Sequence, residues 1–399
     1  MADAPWLTIV GLGEDGPAGL SPASREALDR AEIVMGPPRH LALLPEIRAE
    51  LVEWPVPFAD GIARLLKLRG RPVVVLASGD PFWFGAGSVI ARHLQPEDWR
   101  ALPGVSVFAL AVARLGWPLD TTLTLGLHAA PLTRVRPYLM PGQRAIVLLR
   151  DGAAVAALAD LLVATGFGES TLHVCEALGG PRERLRSSDA ATLAFEDVSH
   201  PVCVGLEVAG QGVALPLTPG RPDTMFENDG QITKGPMRAL TLAALAPRPG
   251  ERLWDIGGGS GSVAIEWLLS HPSLSATTID PNPDRIARIR RNADQLGVDR
   301  LDIVKGHAPA ALRGLPPPDA VFIGGGVSAD MLTWLGANLP GGTRLVANAV
   351  TLESEALLAD AQEKRGGNLL RIELAQAEPL GSKRGWKAAY PVVQWSVML

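Results

Sequence analysis

Apolar runs of strand length alternate with helix-patterned stretches along most of this 399-residue chain. In the first half, Trp6 to Val10, Pro72 to Ala77, Leu123 to Leu127, Arg144 to Leu149, Thr171 to Leu178 and Pro201 to Val208 read as strands. Pro22 to Ala31, with Ser21 as N-cap and Pro22 at the first helical position, and Ala153 to Ala164 read as helices. In the second half, strands are expected at Arg252 to Ile256, Ala276 to Asp280, Leu301 to Val304, Ala320 to Ile323 and Thr343 to Asn348. Helices are expected at Val263 to Ser270, Asp284 to Leu296, Ala329 to Ala337 and Glu353 to Lys364. Such alternation predicts an α/β protein with parallel, doubly wound sheets in both halves. Leu369 to Ala377 and Ala388 to Met398 succeed one another with no helix between, which predicts an antiparallel hairpin on one edge of the second sheet.

The stretch GQGVALPLTPGRPD (Gly210 to Asp223) carries neither period and is rich in Gly and Pro. It divides the chain into a domain over 1–208, a linker over 209–222 and a second domain over 223–399. The overall charge of −5 lies in the first 208 residues, which carry 18 basic and 23 acidic side chains, and the remainder balances. Neither half has the basic excess of a protein that neutralises phosphates, so nucleic acid is not an expected partner. Val73 to Ala91 has a single charge, but Gly79, Asp80, Pro81, Gly85 and Gly87 interrupt it, so no membrane span is expected. Cys175 and Cys203 lie in apolar strand-like stretches and form neither a disulfide framework nor a metal spacing. On that cysteine usage the chain reads as cytoplasmic, and no basic segment precedes the first apolar run.

Two glycine-rich loops come after strands. The first, Gly11-Leu12-Gly13-Glu14-Asp15-Gly16, matches a dinucleotide fingerprint literally. Its two carboxylates would occupy the pyrophosphate position, and the next helix begins only at Ser21-Pro22, so a nucleotide is not expected there. A second signal in this half is Ser78-Gly79-Asp80-Pro81 with Gly85, directly after a strand, a turn that offers main-chain groups to a ligand. With the stretch from Pro103 to Asp120, these blocks resemble the tetrapyrrole methylases acting on precorrin intermediates. That resemblance implies a class III α/β fold, S-adenosyl-L-methionine near Gly79, Asp80, Gly85 and Ser106, and a first glycine loop that faces the tetrapyrrole.

The other loop is the stronger one. Asp255-Ile256-Gly257-Gly258-Gly259-Ser260-Gly261 ends a strand and opens a helix, and the next strand closes on Asp280, placed to accept both ribose hydroxyls. Ser262 stands where the nicotinamide fingerprint takes Gly or Ala, so an NAD-dependent oxidoreductase is the weaker alternative. This half resembles the class I, Rossmann-like methyltransferases with a seven-stranded sheet, and within them the decarboxylating precorrin methyltransferases, over about 230–397. The resemblance implies that Thr233 and the loop Gly257, Gly258, Gly259, Ser260, Gly261 hold the methionine part of S-adenosyl-L-methionine, Asp280 the ribose and Ala308 the adenine edge. Relatives often carry Asp where this chain has His307.

Two such domains on one chain resemble the fused decarboxylating C5,15-methyltransferases of corrin synthesis. That likeness implies methylation of a reduced tetrapyrrole at C5 by the first domain, and methylation at C15 with loss of the C12 acetate carboxyl by the second. A cobalt-containing substrate is the alternative within this reading, and the protein is expected to be a homo-oligomer. No catalytic triad, metal cluster or flavin motif is evident, and no catalytic residue is assigned. Arg238 and Arg384 are put forward as clamps for substrate carboxylates, the Arg285, Arg288, Arg290 and Arg291 run as a solvated helix face, and Trp254 and Trp267 as core.

Overall fold

The computed structural model describes residues 5–44 and 46–399. The chain divides into two compact units: one runs to Leu132 and includes Leu139–Val213, the other comprises Thr133–Tyr138 and Ala214–Leu399.

The first unit contains two five-stranded sheets. In the first, β1 (Leu7–Leu12), β2 (Ile33–Gly36), β3 (Glu50–Glu53), β4 (Val73–Ser78) and β5 (Trp99–Leu102) pair in parallel in the order β3-β2-β4-β1-β5. Helices α1 (Pro22–Arg30), α2 (Pro38–Ala42), α3 (Phe58–Leu66) and α4 (Ala86–Ala91) connect or follow them. Its strands β1, β2 and β4 bury nearly every side chain, as parallel strands covered on both faces must. After α5 (Val107–Leu115) comes the second sheet, with β6 (Leu123–Gly126), β7 (Arg144–Leu149), β8 (Thr171–Glu176), β9 (Arg184–Asp189) and β10 (Val202–Glu207) in the order β6-β7-β10-β8-β9.

This second sheet departs from the expected parallel arrangement. Only β6 and β7 are parallel; β10 runs antiparallel to both β7 and β8, and β9 antiparallel to β8. The reason is local. One long helix, α6 (Gly152–Ala164), joins β7 to β8, but β8 turns directly into β9, and the return to β10 contains only a single turn of helix. β9, with sequence RLRSSD, has no buried side chain, and so lacks the apolar run that would have marked it as a strand.

The second unit holds a seven-stranded sheet in the order β13-β12-β11-β14-β15-β19-β16. Its strands are β11 (Arg252–Ile256), β12 (Ser275–Asp280), β13 (Asp302–Lys305), β14 (Ala320–Ile323), β15 (Arg344–Ala349), β16 (Asn368–Ile372) and β19 (Val392–Met398). Helices α7 (Gly235–Leu245), α8 (Ser262–Ser270), α9 (Pro283–Gln295), α10 (Ala329–Asn338) and α11 (Leu352–Arg365) complete the layers. Strands β11 to β15 are parallel; β19 lies antiparallel between β15 and β16. The antiparallel pair is therefore present, but the expected strand over 369–377 is split: residues Ala375–Leu380 (β17) leave the sheet and pair with Lys383–Ala388 (β18) as a separate hairpin. Trp254 and Trp267 are buried core residues, as are both cysteines, which remain unbridged.

Candidate functional site

In the second unit the strand order reverses between β11 and β14, and ligands of open α/β sheets bind beyond the carboxyl ends of the strands at such a switch. Here the glycine loop meets Gly324-Gly325-Gly326, which comes after β14. Gly257, Gly259 and Gly261 all have positive φ (77°, 59° and 76°), a conformation costly for side-chain-bearing residues. A Cβ on Gly257 would also stand 2.9 Å from the Gly325 carbonyl oxygen, and one on Gly258 2.1 Å from Thr278 Oγ1. The Gly257 and Gly258 amides donate to the Ile279 carbonyl (2.9 and 3.2 Å), and the Gly261 amide to Gly258 (2.7 Å), so the loop is a closed coil between two strands and α8.

Asp280 ends β12 beside this coil. Its two carboxylate oxygens each accept one backbone amide, from Gly259 (3.0 Å) and Asn282 (2.9 Å). A carboxylate has about four lone-pair sites, so one acceptor direction per oxygen is left for a diol. The Gly306 amide donates to the Asp280 carbonyl (3.1 Å), bringing the loop of His307 and Ala308 to the same rim; His307 is exposed and Ala308 half-buried. Thr233 approaches from before α7, with Gln231, two residues earlier, over Gly259. Ser260 is buried, and its hydroxyl has no hydrogen-bond partner. The sequence-expected residues Gly257 to Gly261, Asp280 and Ala308 thus share one rim of the second unit, and Thr233 follows the segment that passes over Gly259, its carbonyl bonded to Arg238.

Asp255 lies deeper. It is 1 % exposed, and its carboxyl accepts from the Ala264 amide and interacts with Thr278 Oγ1 at 3.4 Å. Burial pushes its pKa up to about 7, with the nearby Asp280 charge adding to the rise.

The structure also shows what the sequence did not. The segment 227–233 lies along the coil, tied there by Asn292 of α9, whose Nδ2 donates to the Ser260 and Glu227 carbonyls (2.9 and 3.0 Å) while Oδ1 accepts from the Glu227 amide (2.8 Å). The arginine run is not a solvated face. Arg285 and Arg288 pair with Asp229, Arg285 also donates to the Gln231 side chain (2.8 Å), and Arg291 pairs with Glu227. Arg290 donates to the Asp299 and Leu301 carbonyls. Arg238 is no substrate clamp: it is fully buried, donating to Glu266 (2.7 Å), Asp223 and the carbonyls of Arg221 and Thr233. Arg384 is exposed on the β17–β18 hairpin. A signal for Asn292 was available, since Ile289, Asn292, Ala293 and Leu296 form one buried helix stripe in which an amide is out of place unless it is bonded.

In the first unit, three glycines bring three loops into contact. The Gly79 amide donates to Leu12 (3.0 Å) and the Gly104 amide to Gly79 (2.9 Å), while a Cβ on Gly11 would fall 1.8 Å from the Gly79 carbonyl oxygen. Gly79 has φ +50°, and a Cβ there would meet the Val105 carbonyl at 2.8 Å. Asp80 accepts from the Phe82 amide (2.8 Å), Gly85 caps α4, and Ser106 Oγ caps α5 by accepting from Ala109 (3.1 Å). Gly79, Asp80, Gly85 and Ser106 therefore come together, but through main-chain packing, with the Asp80 and Ser106 side chains engaged locally. Among the described residues no group of three or more His, Cys, Asp or Glu is placed to hold a metal ion, and no helix is long and apolar enough to cross a membrane.

Comparison with known proteins bears on both units. Residues 6–194 match the family model of tetrapyrrole (corrin/porphyrin) methylases, and residues 224–399 that of the precorrin methyltransferase domain. A precorrin-6Y C(5,15)-methyltransferase [decarboxylating] of Sinorhizobium sp is 50% identical over 398 residues, 98% of this chain and 96% of the relative. A protein of the same description from Mycobacterium tuberculosis is 44% identical over 398 residues, 98% of this chain and 99% of the relative. The crystal structure of the C-terminal domain of precorrin-6Y C5,15-methyltransferase from Rhodobacter capsulatus is 58% identical, covering 46% of this chain and 100% of that one with a TM-score of 0.45. On the strength of the two relatives matched along nearly their whole length, the chain belongs to the family of decarboxylating precorrin-6Y C5,15-methyltransferases.

Proposed function

We infer that this chain methylates a precorrin at C5 and C15 and decarboxylates its C12 acetate side chain in cobalamin synthesis, with S-adenosyl-L-methionine as the methyl donor. The carrying observation is the pairing of a match along the whole chain with two separately built ligand loops. We assign C5 methylation to the first unit, and C15 methylation with decarboxylation to the second.

The residues of the second unit fit the donor. The coil of positive-φ glycines brings main chain to the rim, the Ser260 hydroxyl is buried and unpartnered, and Asp280 keeps one acceptor direction per oxygen for a ribose diol. In the first unit, Gly11, Gly79 and Gly104 pack main chain on main chain beside Asp80, Gly85 and Ser106. When bound, the donor supplies a methyl group already made electrophilic by its sulfonium. What this chain contributes is alignment: fixed backbone loops hold cofactor and macrocycle in one geometry, an effect worth about 7 to 11 kcal/mol when reacting atoms are well oriented. The two buried, unbridged cysteines favour a reducing compartment, the cytoplasm, and the exposed Trp386 and Leu380 of the β17–β18 hairpin favour a homo-oligomer.

The test is mass spectrometry of the product made by the full chain from metal-free precorrin-6B, compared with its Asp280→Asn variant. From precorrin-6B the variant should lose the C15 methyl and carbon dioxide release, and when given the C15-methylated, decarboxylated product made by the wild-type chain it should still add the C5 methyl. Retained carbon dioxide release, or loss of the C5 methyl alone, would overturn the assignment of reactions to units.

A further inference from the structure

A group of charged side chains in the first unit takes no part in the contacts among the Gly11, Gly79 and Gly104 loops. It stands beyond the carboxyl ends of β1, β2 and β4, the edge of a parallel sheet where ligands bind. Glu14 lies just after β1, Arg39 and His40 lie on α2 after β2, Ser78 ends β4, and Arg182 reaches in from the β8–β9 turn. Each Glu14 oxygen takes one guanidinium: Oε1 pairs with Arg39 and Oε2 with Arg182 at 3.1 Å. Arg39 Nη2 also donates to Ser78 Oγ (3.1 Å) and lies 2.7 Å from His40 Nε2.

Two guanidiniums share one carboxylate, and among the described residues none of the other nearby acids pairs with either of them. Asp80 accepts from the Phe82 amide, Asp151 pairs with Arg150 and caps α6, Glu183 pairs with Arg114, and Asp15 lies against Gly13 and Gly19. Burial, reinforced by Arg39, holds His40 down at about 3, and burial with the same neighbour lowers His200. Within the cluster, Glu14 is therefore, among the described residues, the one carboxylate in ion pair with the two guanidiniums. Exposure shows which way it faces: the Glu14 side chain is 8% exposed and walled by the Gly180 backbone, whereas Arg39 is 30% and Arg182 60% exposed. Glu14 serves as an internal counter-charge that spreads two forks towards open space.

We propose that Arg39 and Arg182, held apart by Glu14, form a carboxylate-binding site of the first unit, next to the Gly79 loop. The inference rests on the reading that this unit methylates the macrocycle at C5. Carboxylate chemistry has two sources here, the acetate and propionate arms of the tetrapyrrole and the methionine end of the donor, and the experiment separates them.

Full-length Arg182→Gln, Arg182→Lys and Arg39→Gln chains are titrated with S-adenosylhomocysteine by calorimetry, and C5 methylation of the C15-methylated, decarboxylated precorrin made by the wild-type chain is monitored by mass spectrometry at varied substrate. The Gln variants should raise the tetrapyrrole KM for C5 methylation about tenfold or more with kcat little changed. Lys should recover part of the loss, since it restores charge without the fork. A drop of similar size in S-adenosylhomocysteine affinity at one of the two sites, with the KM for the tetrapyrrole unchanged, also supports the site and names the donor as its ligand. C15 methylation and carbon dioxide release by the same chains report that they are folded, and the largely exposed Arg182 keeps the test decisive if Arg39→Gln does not fold. The proposal is overturned if the Arg182→Gln chain keeps wild-type values of both quantities. If the wild-type chain adds no C5 methyl at all, it is the functional reading that fails.

Discussion

The side-chain amide of Asn292 donates to the backbone carbonyl of Ser260 at 2.9 Å, tying helix α9 to the glycine coil of the second unit. The same amide holds the Glu227 backbone through both its donor and its acceptor, so every polar atom of this fully buried side chain is used. Asn292→Ala leaves two carbonyls and one amide without partners, at about 1 to 3 kcal/mol for each group left buried. The expected outcome is a lower unfolding midpoint for the second unit and, under folded conditions, roughly tenfold weaker S-adenosylhomocysteine binding. Asn292→Asp should be no milder, because a carboxylate cannot donate to the Ser260 carbonyl. Denaturant unfolding together with calorimetric titration checks both effects, and unchanged affinity would show that the segment 227–233 does not shape the cofactor rim.

Asp255 gives the second unit a pH signature. Burial raises its pKa in the folded state to about 7, above the usual carboxylate value near 4. Below the unfolded value both states are protonated and the group is neutral in its effect. As pH rises from about 4 to 7, the unfolded chain releases this proton while the folded chain retains it, so stability is lost across that window, on the order of a few kcal/mol, and stays constant above it. Asp255→Asn imitates the protonated acid. Its stability relative to wild type should therefore be close to parity at pH 4 and rise to a clear gain at pH 8, measured by thermal unfolding at a series of pH values. A difference that does not vary with pH would mean that Asp255 does not titrate in this range.

These sites differ in how far the sequence disclosed them. The coil at Gly257 to Gly261 and Asp280 could be read directly, because positive φ requires glycine and a strand-ending acid is a local signal. The parallel strands around β11 were likewise legible from runs of buried aliphatic residues, whereas in the sheet around β1 only β1 and β4 were read, and the four-residue strands β2, β3 and β5 were not. β10 was expected as a strand over Pro201 to Val208, but its antiparallel direction was not, since pairing direction depends on connections whose geometry is not written in periodicity, and β9 was not placed at all. Arg238, Asn292 and the arginines of α9 were misjudged or passed over for a related reason. Glu266, which pairs with Arg238, is 28 residues distant and Glu227, which Asn292 holds, is 65, and a charged side chain looks the same in sequence whether it meets water or a buried carboxylate.

Gly11 tests the main-chain contacts of the first unit. A methyl group there would lie 1.8 Å from the Gly79 carbonyl oxygen and 2.3 Å from the Gly104 amide, both backbone atoms that cannot rotate away. Gly11→Ala should destabilise the first unit by several kcal/mol, the range of severe overpacking. Gly142→Ala is the comparison: φ is +86° but nothing lies within 4 Å, so the cost should be about 1 kcal/mol, from backbone strain alone. Two-transition unfolding curves of the full chain read both effects. Equal costs at the two positions would show that the three loops are not in contact.

The ion pairs that hold segment 227–233 are partly exposed, unlike the fully buried Asn292 bonds beneath them, and this difference predicts a salt dependence. Asp229 faces Arg285 and Arg288, whose contacts, with the Gln231 amide, hold its carboxyl at about 2. Because the folded value is depressed, its contribution is present above the unfolded value and lost as pH falls towards 2, so it is intact at neutral pH. Salt screens partly exposed pairs to a degree, and leaves buried hydrogen bonds untouched. Raising ionic strength from low to about 0.5 M should therefore weaken S-adenosylhomocysteine binding at the second unit by a few-fold. Asp229→Asn should show the weaker affinity already at low salt and respond little to further salt. Arg285 adds a second route: it reaches 4.0 Å from Asp280 while bonded to Asp229 and Gln231, so freeing it also perturbs the carboxylate expected to hold the ribose. If the Asp229→Asn chain keeps the full salt response of the wild type, the dependence arises from ligand charge, and the pinning of the segment plays no part in it.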